Sequence, residues 1–379
     1  MKKVLHVIYS MTDGGAQRII YDYFIRQREL KEYELVFLSL SAPTGSIYEK
    51  HIIKQNMNFL FLNVPRTDSG KNYIKKFLYY FKRVYGVLKI LYEYHPDAIH
   101  THVSYILKYM CIPYIFFRGK KYHTLHSDPY SFSTCNSMFF KFMFYIFSII
   151  PIAVTSGQLK KAKDRYNLKN IFLLNNSVDI EGINAYVDSY TREDIRKSFG
   201  IPEDCFLIGS VGRLDFLKNY DFLVRIFKEY LSDNSSSCLA IAGEGPYRAT
   251  LELLIEHLRL KQKVFLVGRL DFKEIYKFYK ALDVFIITSL FEAAPMVFLE
   301  AQAIGVPSII ADSVDENMIY RNNVHVLSRD ACLQDWCYAI HNKNSAHNQY
   351  NVKENFDTKT LMSRLEKIYS ETLISIEKR

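Results

Sequence analysis

Apolar runs of strand length alternate with segments of helical period along most of the chain. Runs at 4–9, 34–40, 98–102, 152–155, 206–211, 239–242, 264–267, 284–288 and 308–311 read as strands. The stretches between them are long enough for crossover helices, which is the rhythm of βαβ units and therefore of parallel sheets. Between about Asn184 and Asp204 the sequence turns polar and passes through Gly200-Ile-Pro202 before a fresh strand opens at Phe206. That break places a domain junction. A chain of 379 residues exceeds the size at which one core keeps growing, so two domains are expected. The predicted division is 1–185 for the first, 186–355 for the second, and 356–379 for a C-terminal helix packing back on the first. No internal repeat or low-complexity tract interrupts the pattern.

Two segments of the first half raise the question of membranes. At a helical step, Ile74, Phe77, Leu78, Phe81, Tyr85, Leu88 and Tyr92 share one face of a helix over 71–94, while Lys71, Lys75, Lys76, Lys82, Arg83 and Lys89 occupy another. This reads either as a surface helix docked on its own core with a solvated basic edge, or as one touching anionic lipid. Both hold if the basic edge faces a bilayer. The segment 138–154 is more apolar, but Lys141 and Pro151 divide it. It is read as a core helix followed by a strand rather than a membrane span.

Charge sharpens the division. The whole chain carries a formal +9, yet residues 1–170 alone carry +14 and the remainder −5. The first half is built to meet something anionic, whether nucleic acid, a phosphorylated substrate or a membrane surface. The six cysteines show no C-x-x-C spacing, which argues against a zinc site or a disulfide framework and fits a reducing compartment. The opening Met-Lys-Lys-Val-Leu-His-Val-Ile-Tyr has too short an apolar run for a signal peptide and reads as a buried first strand.

Three stretches carry candidate chemistry. Gly14-Gly15 follows the first strand and opens a helix, either as a tight turn or as a backbone edge that admits a phosphate; it does not make the G-x-G-x-x-G dinucleotide pattern. Gly212-Arg213 ends a strand, with Lys218 ahead of the next helix. Two cations there suit a diphosphate, with Arg supplying a fork and Lys a point charge. In Phe291-Glu-Ala-Ala-Pro-Met-Val-Phe-Leu-Glu-Ala-Gln-Ala-Ile-Gly305, Pro295 suits a helix start and Gly305 its end. That puts Glu292 in a loop and Glu300 inside a helix. Carboxylates bordering the crevice of an open α/β sheet accept hydroxyls, so this pair points to sugar and ribose, unless each is separately satisfied within the fold.

In this order the motifs resemble the family 4 retaining glycosyltransferases of GT-B fold, whose signature is a glutamate, seven residues, and a second glutamate. Glu292 and Glu300 match that spacing. The resemblance covers nearly the whole chain, through Gly14-Gly15, His126 in His123-Thr-Leu-His-Ser-Asp128, Asn175-Asn-Ser-Val-Asp179, Gly212-Arg213 with Lys218, Gly243-Glu-Gly-Pro246, and Glu292 to Gly305. It is nearest to bacterial capsule, exopolysaccharide and O-antigen enzymes. Departures are Ala293 where the family usually has Gly, Ser177 in its Asn-Gly-Val-Asp stretch, and Gln17 where Glu is common. Ala293 bears on the donor sugar, since that loop lies against it in relatives.

What the resemblance implies is specific. The fold is α/β, two Rossmann-like doubly wound parallel-sheet domains facing each other across a cleft, with acceptor in the first, nucleotide sugar in the second, and reaction between. Arg213 and Lys218 neutralise the leaving diphosphate, so no metal or other cofactor is needed. Glu300 binds ribose, Glu292 the transferred sugar, and the backbone at Arg269 and Leu270 the base. Gly14, Gly15, Ala294, Pro295, Met296 and Val297 also line the donor, and His126 touches its sugar. The implied reaction is retaining transfer of a hexosyl or N-acetylhexosaminyl group from a nucleotide sugar, UDP-linked by subfamily, to a lipid-linked saccharide in surface polysaccharide synthesis. Retention without a nucleophile in the motifs implies front-face attack. The implied location is the cytoplasm, peripheral on the inner face of the cell membrane, with an anionic membrane surface as partner and no nucleic acid. A nucleotide-sugar epimerase of the same architecture, or a non-catalytic sugar-nucleotide-binding module, fits the same motifs. A nucleic-acid binder would use the basic half, but no recognition motif accompanies it.

Overall fold

The computed structural model describes residues 1–55, 58–66, 73–344 and 356–377, with side chains to Glu371. The chain divides into two compact units, Met1–Asn176 with Lys359–Arg379, and Ser177–Thr358. The first is built on β1 (Lys2–Ile8), β2 (Tyr33–Ser39), β3 (Phe59–Phe61), β4 (Ala98–His102), β5 (Lys120–Leu125), β6 (Ile150–Ala153) and β7 (Phe172–Leu173). Its crossover helices are α1 (Gly15–Arg26), α2 (Ile47–Lys54), α3 (Tyr73–Tyr94), α4 (Leu107–Phe116), α5 (Thr134–Ile146) and α6 (Ser156–Tyr166). The strands pair in parallel in the order β3-β2-β1-β4-β5-β6-β7, so the direction of winding reverses between β1 and β4. Both faces of such a sheet are covered, and β2 and β4 are accordingly buried almost throughout.

The second unit opens with α7 (Ile180–Val187) and α8 (Arg192–Ser198). Its strands are β8 (Phe206–Val211), β9 (Ser237–Ala242), β10 (Val264–Gly268), β11 (Val284–Ile287), β12 (Ser308–Ala311) and β13 (Val324–Leu327), all parallel in the order β10-β9-β8-β11-β12-β13. Helices α9 (Tyr220–Asp233), α10 (Arg248–His257), α11 (Phe272–Ala281), α12 (Met296–Ile304) and α13 (Leu333–His341) cover it. Here the winding reverses between β8 and β11. The last helix, α14 (Leu361–Glu377), belongs to the first unit. It buries Leu361, Met362, Leu365, Ile368 and Tyr369, and Glu366 accepts from the amides of Lys31 and Glu32 at 3.0 and 2.9 Å.

The division after Asn176 replaces the junction expected at 185. The polar stretch is two capped helices rather than a linker. Asp179 and Thr191 accept from Gly182 N and Asp194 N, satisfying helix-start amides. Ile180, Ile183 and Val187 are buried, and Val178 pairs with Asp357. Arg196, itself buried, and Arg192 both bind Asp283, each at 2.8 Å, anchoring the segment to the end of α11.

Helix α3 packs differently from its sequence pattern. Val84, Val87 and Ile90 face the core, and Arg83 is buried, donating to Leu40 O and Pro65 O. Ile74, Phe77, Leu78, Phe81, Tyr85 and Tyr92 are exposed, and Leu88 is half-buried. Lys71 lies outside the described residues. The segment 138–154 splits as expected, into α5 and a β6 that contains Pro151. Among the described residues no helix is long and apolar enough to cross a membrane.

Candidate functional site

In the second unit the site is built at the reversal of winding, the place where open α/β sheets hold ligands beyond the carboxyl ends of their strands. The loop after β8 runs from Gly212 to a 3-10 turn at Phe216–Lys218, and Asn219 in the left-handed region starts α9. The loop after β11 runs from Thr288 to Pro295. Backbone and side chain tie the two together. Leu290 N donates to Leu217 O at 2.8 Å, and the Thr288 hydroxyl reaches Lys218 O and Asn219 O at 3.2 and 3.1 Å. The loop after β9 presses in as well, and its glycines explain the Gly243-Glu-Gly-Pro246 motif. A Cβ on Gly243 would lie 1.9 Å from Gly212 O, and one on Gly245 would lie 2.1 Å from Leu214 O. No other residue fits there.

These ties bring Lys218 and Glu292 into contact. Lys218 Nζ sits 2.6 Å from Glu292 Oε1, which also accepts from the Ser289 hydroxyl at 2.7 Å. The carboxylate is 9% exposed and the ammonium 22%. A charge-assisted bond this sheltered holds both side chains in one geometry. Arg213, five residues before Lys218 on the same loop, is exposed. Two cations and a carboxylate thus share one rim, which can neutralise an anion and accept a hydroxyl.

Glu300 lies inside α12, as read from the sequence; it is buried, and its oxygen accepts from the Tyr279 hydroxyl at 3.2 Å. Burial and then the Glu300 charge push the Tyr279 hydroxyl well above its ordinary pKa, so it remains a donor. Pro295 is the N-cap of α12 in extended conformation rather than its first residue, and Gly305 closes the helix in the left-handed region. Met296 is buried, and Ala294 and Val297 are half-buried. Because α12 follows β11, its N-terminal amides lie at the carboxyl edge of the sheet, where they favour an anion. Arg269 and Leu270 follow β10 at the sheet edge, exposed and half-buried. Ser289 and Tyr279, which donate to the two glutamates, carry no motif of their own in the sequence.

In the first unit, Gly14 is the N-cap of α1 and Gly15 its first residue. Gln17 folds back to Ser10 O at 3.2 Å, and Asp13 Oδ1 accepts from Ile47 N at 2.9 Å, so the loop is fixed from both sides. His126, directly after β5, is half-buried and stands at the end of a histidine cluster that no sequence pattern marks. His6 on β1 and His100 and His102 on β4 are each at most 1% exposed, and their ring nitrogens lie within 4.8 Å of one another. A metal ion would accept that spacing, but hydrogen bonds already engage the rings. His6 Nδ1 meets His102 Nε2 at 3.0 Å, His6 Nε2 meets the Tyr369 hydroxyl at 3.0 Å, and that hydroxyl meets His100 Nδ1 at 2.7 Å. His100 Nε2 meets Thr124 Oγ1 at 2.7 Å, and His102 Nδ1 meets His126 Nε2 at 3.4 Å. Burial pushes the pKa of His6 and His123 down to about 3 and of His126 down to about 4, and holds His100 and His102 well below the ordinary value. Beside them Val103 takes a φ of 67°, rare for a β-branched residue, which stores strain at the end of β4.

Comparison with known proteins extends the picture. Residues 191–325 match the family described as Glycosyl transferases group 1. EpsF of Bacillus subtilis (strain 168), named as a glycosyltransferase, is 24% identical over 327 residues, covering 84% of this chain and 81% of that protein. The N-acetylgalactosamine-N,N'-diacetylbacillosaminyl-diphospho-undecaprenol 4-alpha-N-acetylgalactosaminyltransferase of Campylobacter jejuni is 27% identical over 335 residues, covering 82% and 81%. The crystal structure of Anabaena HepE in complex with UDP and glucose superposes with a TM-score of 0.78 at 17% identity, over 98% of this chain and all of that one. The fold is that of the GT-B glycosyltransferases, and both sheets match expectation.

Proposed function

We propose that this chain, a glycosyltransferase by the match of residues 191–325 and by its relatives, moves a hexosyl or N-acetylhexosaminyl group from a UDP-sugar to a lipid-diphosphate-linked saccharide with retention at the anomeric carbon. The observation that carries this reading is the Lys218–Glu292 pair at the winding reversal of the second unit, beside Arg213 and the start of α12. A diphosphate arriving there meets Arg213 and competes with Glu292 for Lys218. The exchange places the cation on the leaving group, where charge builds as the glycosidic bond breaks, and frees the carboxylate for the sugar. Glu300 receives the ribose hydroxyls, with the donor base against Arg269 and Leu270. The departing phosphate takes the proton of the attacking hydroxyl from the same face, which preserves configuration. UDP and glucose in HepE support the donor, and the diphospho-undecaprenol in the Campylobacter enzyme's name supports the acceptor.

Release of UDP or GDP from a panel of sugar nucleotides, with and without a lipid-diphosphate acceptor, tests this. UDP release that requires the acceptor, with an α-linked product from an α-linked donor, is expected. Acceptor-independent release of free UDP from one sugar nucleotide would mark an epimerase, and binding without turnover a non-catalytic module. Because Arg213 and Lys218 carry the diphosphate, activity is expected to survive a chelator fully. Loss that Mn²⁺ or Mg²⁺ restores would overturn that assignment.

A lipid-linked acceptor requires the protein to work at a membrane, and we place it peripherally on the cytoplasmic face. The support is the +14 excess of residues 1–170 together with the exposed Phe77, Phe81 and Tyr85 of α3, which alternate with Lys75, Lys76, Lys82 and Lys89. The protein is expected to pellet with anionic liposomes at low salt and to release as salt rises. Equal binding to neutral liposomes, or resistance to salt and alkaline carbonate, would reject surface electrostatics in favour of insertion.

A further inference from the structure

The histidine cluster of the first unit is a single ordered chain of hydrogen bonds: Thr124, His100, Tyr369, His6, His102, His126. A neutral imidazole has one N–H and one lone pair, so each ring that donates on one side must accept on the other. The rings are neutral because burial disfavours their charged form. With one hydrogen on the Tyr369 hydroxyl, the whole chain then has only two directions. In the first, Tyr369 donates to His100 Nδ1 and accepts from His6 Nε2–H. His102 Nε2–H then donates to His6, His126 Nε2–H donates to His102, and His126 Nδ1 is left as a lone pair. In the second direction every bond reverses, and His126 Nδ1 carries the hydrogen.

Heavy-atom distances choose between them, hydrogens being assigned from the network. Hydroxyl donors make shorter bonds than ring N–H donors. The 2.7 Å from Tyr369 to His100 and the 3.0 Å from His6 to Tyr369 both suit the first direction, and only the 2.7 Å at Thr124 suits the second. We propose that Tyr369 of α14 is a positioning residue which, through His6 and His102, holds His126 in its Nε2–H form and so presents Nδ1 as an acceptor for a sugar hydroxyl. His126 Nδ1 has no hydrogen-bond partner among the described residues, and the aromatic packing of Tyr369 against Tyr33 and Tyr122 fixes the hydroxyl between its two rings. The sugar as ligand rests on the function proposed above; the direction of the chain does not. In this arrangement both His100 nitrogens are already engaged, by Tyr369 and Thr124, so a metal ion would have to break the chain of hydrogen bonds to take all three rings.

The test is the tautomer of His126, read by long-range ¹H–¹⁵N correlation on histidine-labelled protein without substrate. Wild type should show the Nε2–H form. Tyr369→Phe keeps the ring and removes the hydroxyl, so His126 should become a mixture of forms, and kcat should fall about 5-fold, the size of one neutral hydrogen bond, at constant donor KM. Thr124→Val reaches the same ring from the far end. Without its oxygen, His100 gains most by carrying its hydrogen on Nδ1, which turns the Tyr369 hydrogen to His6 and should reverse His126 to the Nδ1–H form. A wild-type Nδ1–H form, or a His126 pattern indifferent to both variants, overturns the proposal. So does a spectrum in which one equivalent of zinc, added alone, shifts His6, His100 and His102 together. Intact tautomer changes in a protein that turns over no sugar nucleotide would leave the chain standing and reject the function instead.

Discussion

Lowering the pH from 7.5 to 5.5 is expected to remove on the order of 5 kcal/mol of stability from the first unit, a loss comparable to the whole stability of many domains. Unfolded histidine takes a proton near pH 6.5, whereas His6, His100, His102 and His123 remain neutral in the fold because burial holds them far lower, His6 and His123 down to about 3. Their contribution is therefore complete above about pH 6.5 and is lost as the pH falls toward 3. Each such ring costs about 1.4 kcal/mol per pH unit in that window. Carboxylates titrate mostly below it, so the histidines dominate. Urea unfolding followed by far-UV circular dichroism at the two pH values measures the shift in midpoint. The single tryptophan, Trp336, is buried in the second unit, so its emission tells which unit responds. A midpoint that does not move would mean that these rings accept protons in place.

The second large effect is catalytic. Glu292→Gln is expected to lower kcat about 10²-fold, equivalent to about 3 kcal/mol of transition-state stabilisation, with little change in donor affinity. On the proposed function the carboxylate faces a sugar ring that becomes cationic only as the bond breaks, and an amide cannot supply that charge. Glu300→Gln is expected mainly to raise the donor KM, since on the same reading Glu300 holds ribose alike in ground and transition states. Both variants should fold. In Glu300→Gln the side-chain amide oxygen still accepts from Tyr279, and Lys218, partly exposed already, turns to solvent when Glu292 is neutralised, at a cost of about 1 kcal/mol. The Lys218–Glu292 contact adds an outcome that no sequence motif signals. Lys218→Ala combined with Glu292→Gln should cost much less than the sum of the single losses, because the two act as one unit. Steady-state kinetics, donor calorimetry and a thermal melt decide. Early melting of both variants would make these acids structural, and a Glu292→Gln that loses only donor affinity would refute its role.

Legibility follows the strength of the apolar pattern. β1, β2, β4, β6 and β8 to β12 are written in runs of Val, Ile and Leu or in the spacing around them, but β5 is spelled Lys-Lys-Tyr-His-Thr-Leu and hides its burial behind polar letters. β3 and β7 have three and two residues, too few for any period to register. Periodicity misplaces the face of α3 for a related reason: the exposed side is more hydrophobic than the side it buries, so an apolar stripe is found without finding the core. The motif residues of the second unit sit where the strand ends put them, because loops after β8 and β11 must converge at the winding reversal. Their partners are another matter. Ser289, Tyr279 and above all Tyr369 meet their sites through contacts that no local pattern announces, and nothing marks a tyrosine near one end of the chain as the neighbour of a histidine near the other.

That last contact has a consequence for biogenesis. Although the first unit begins the chain, its core is closed by α14, so during synthesis the ribosome must deliver residues through Tyr369 before His6 and His100 meet their hydroxyl. The second unit, continuous from Ser177 to Thr358, can fold while the first still waits with an open groove. The order of maturation thus inverts the order of translation, and a fragment of residues 1–176 would expose the apolar bed of α14 to aggregation or to capture by chaperones.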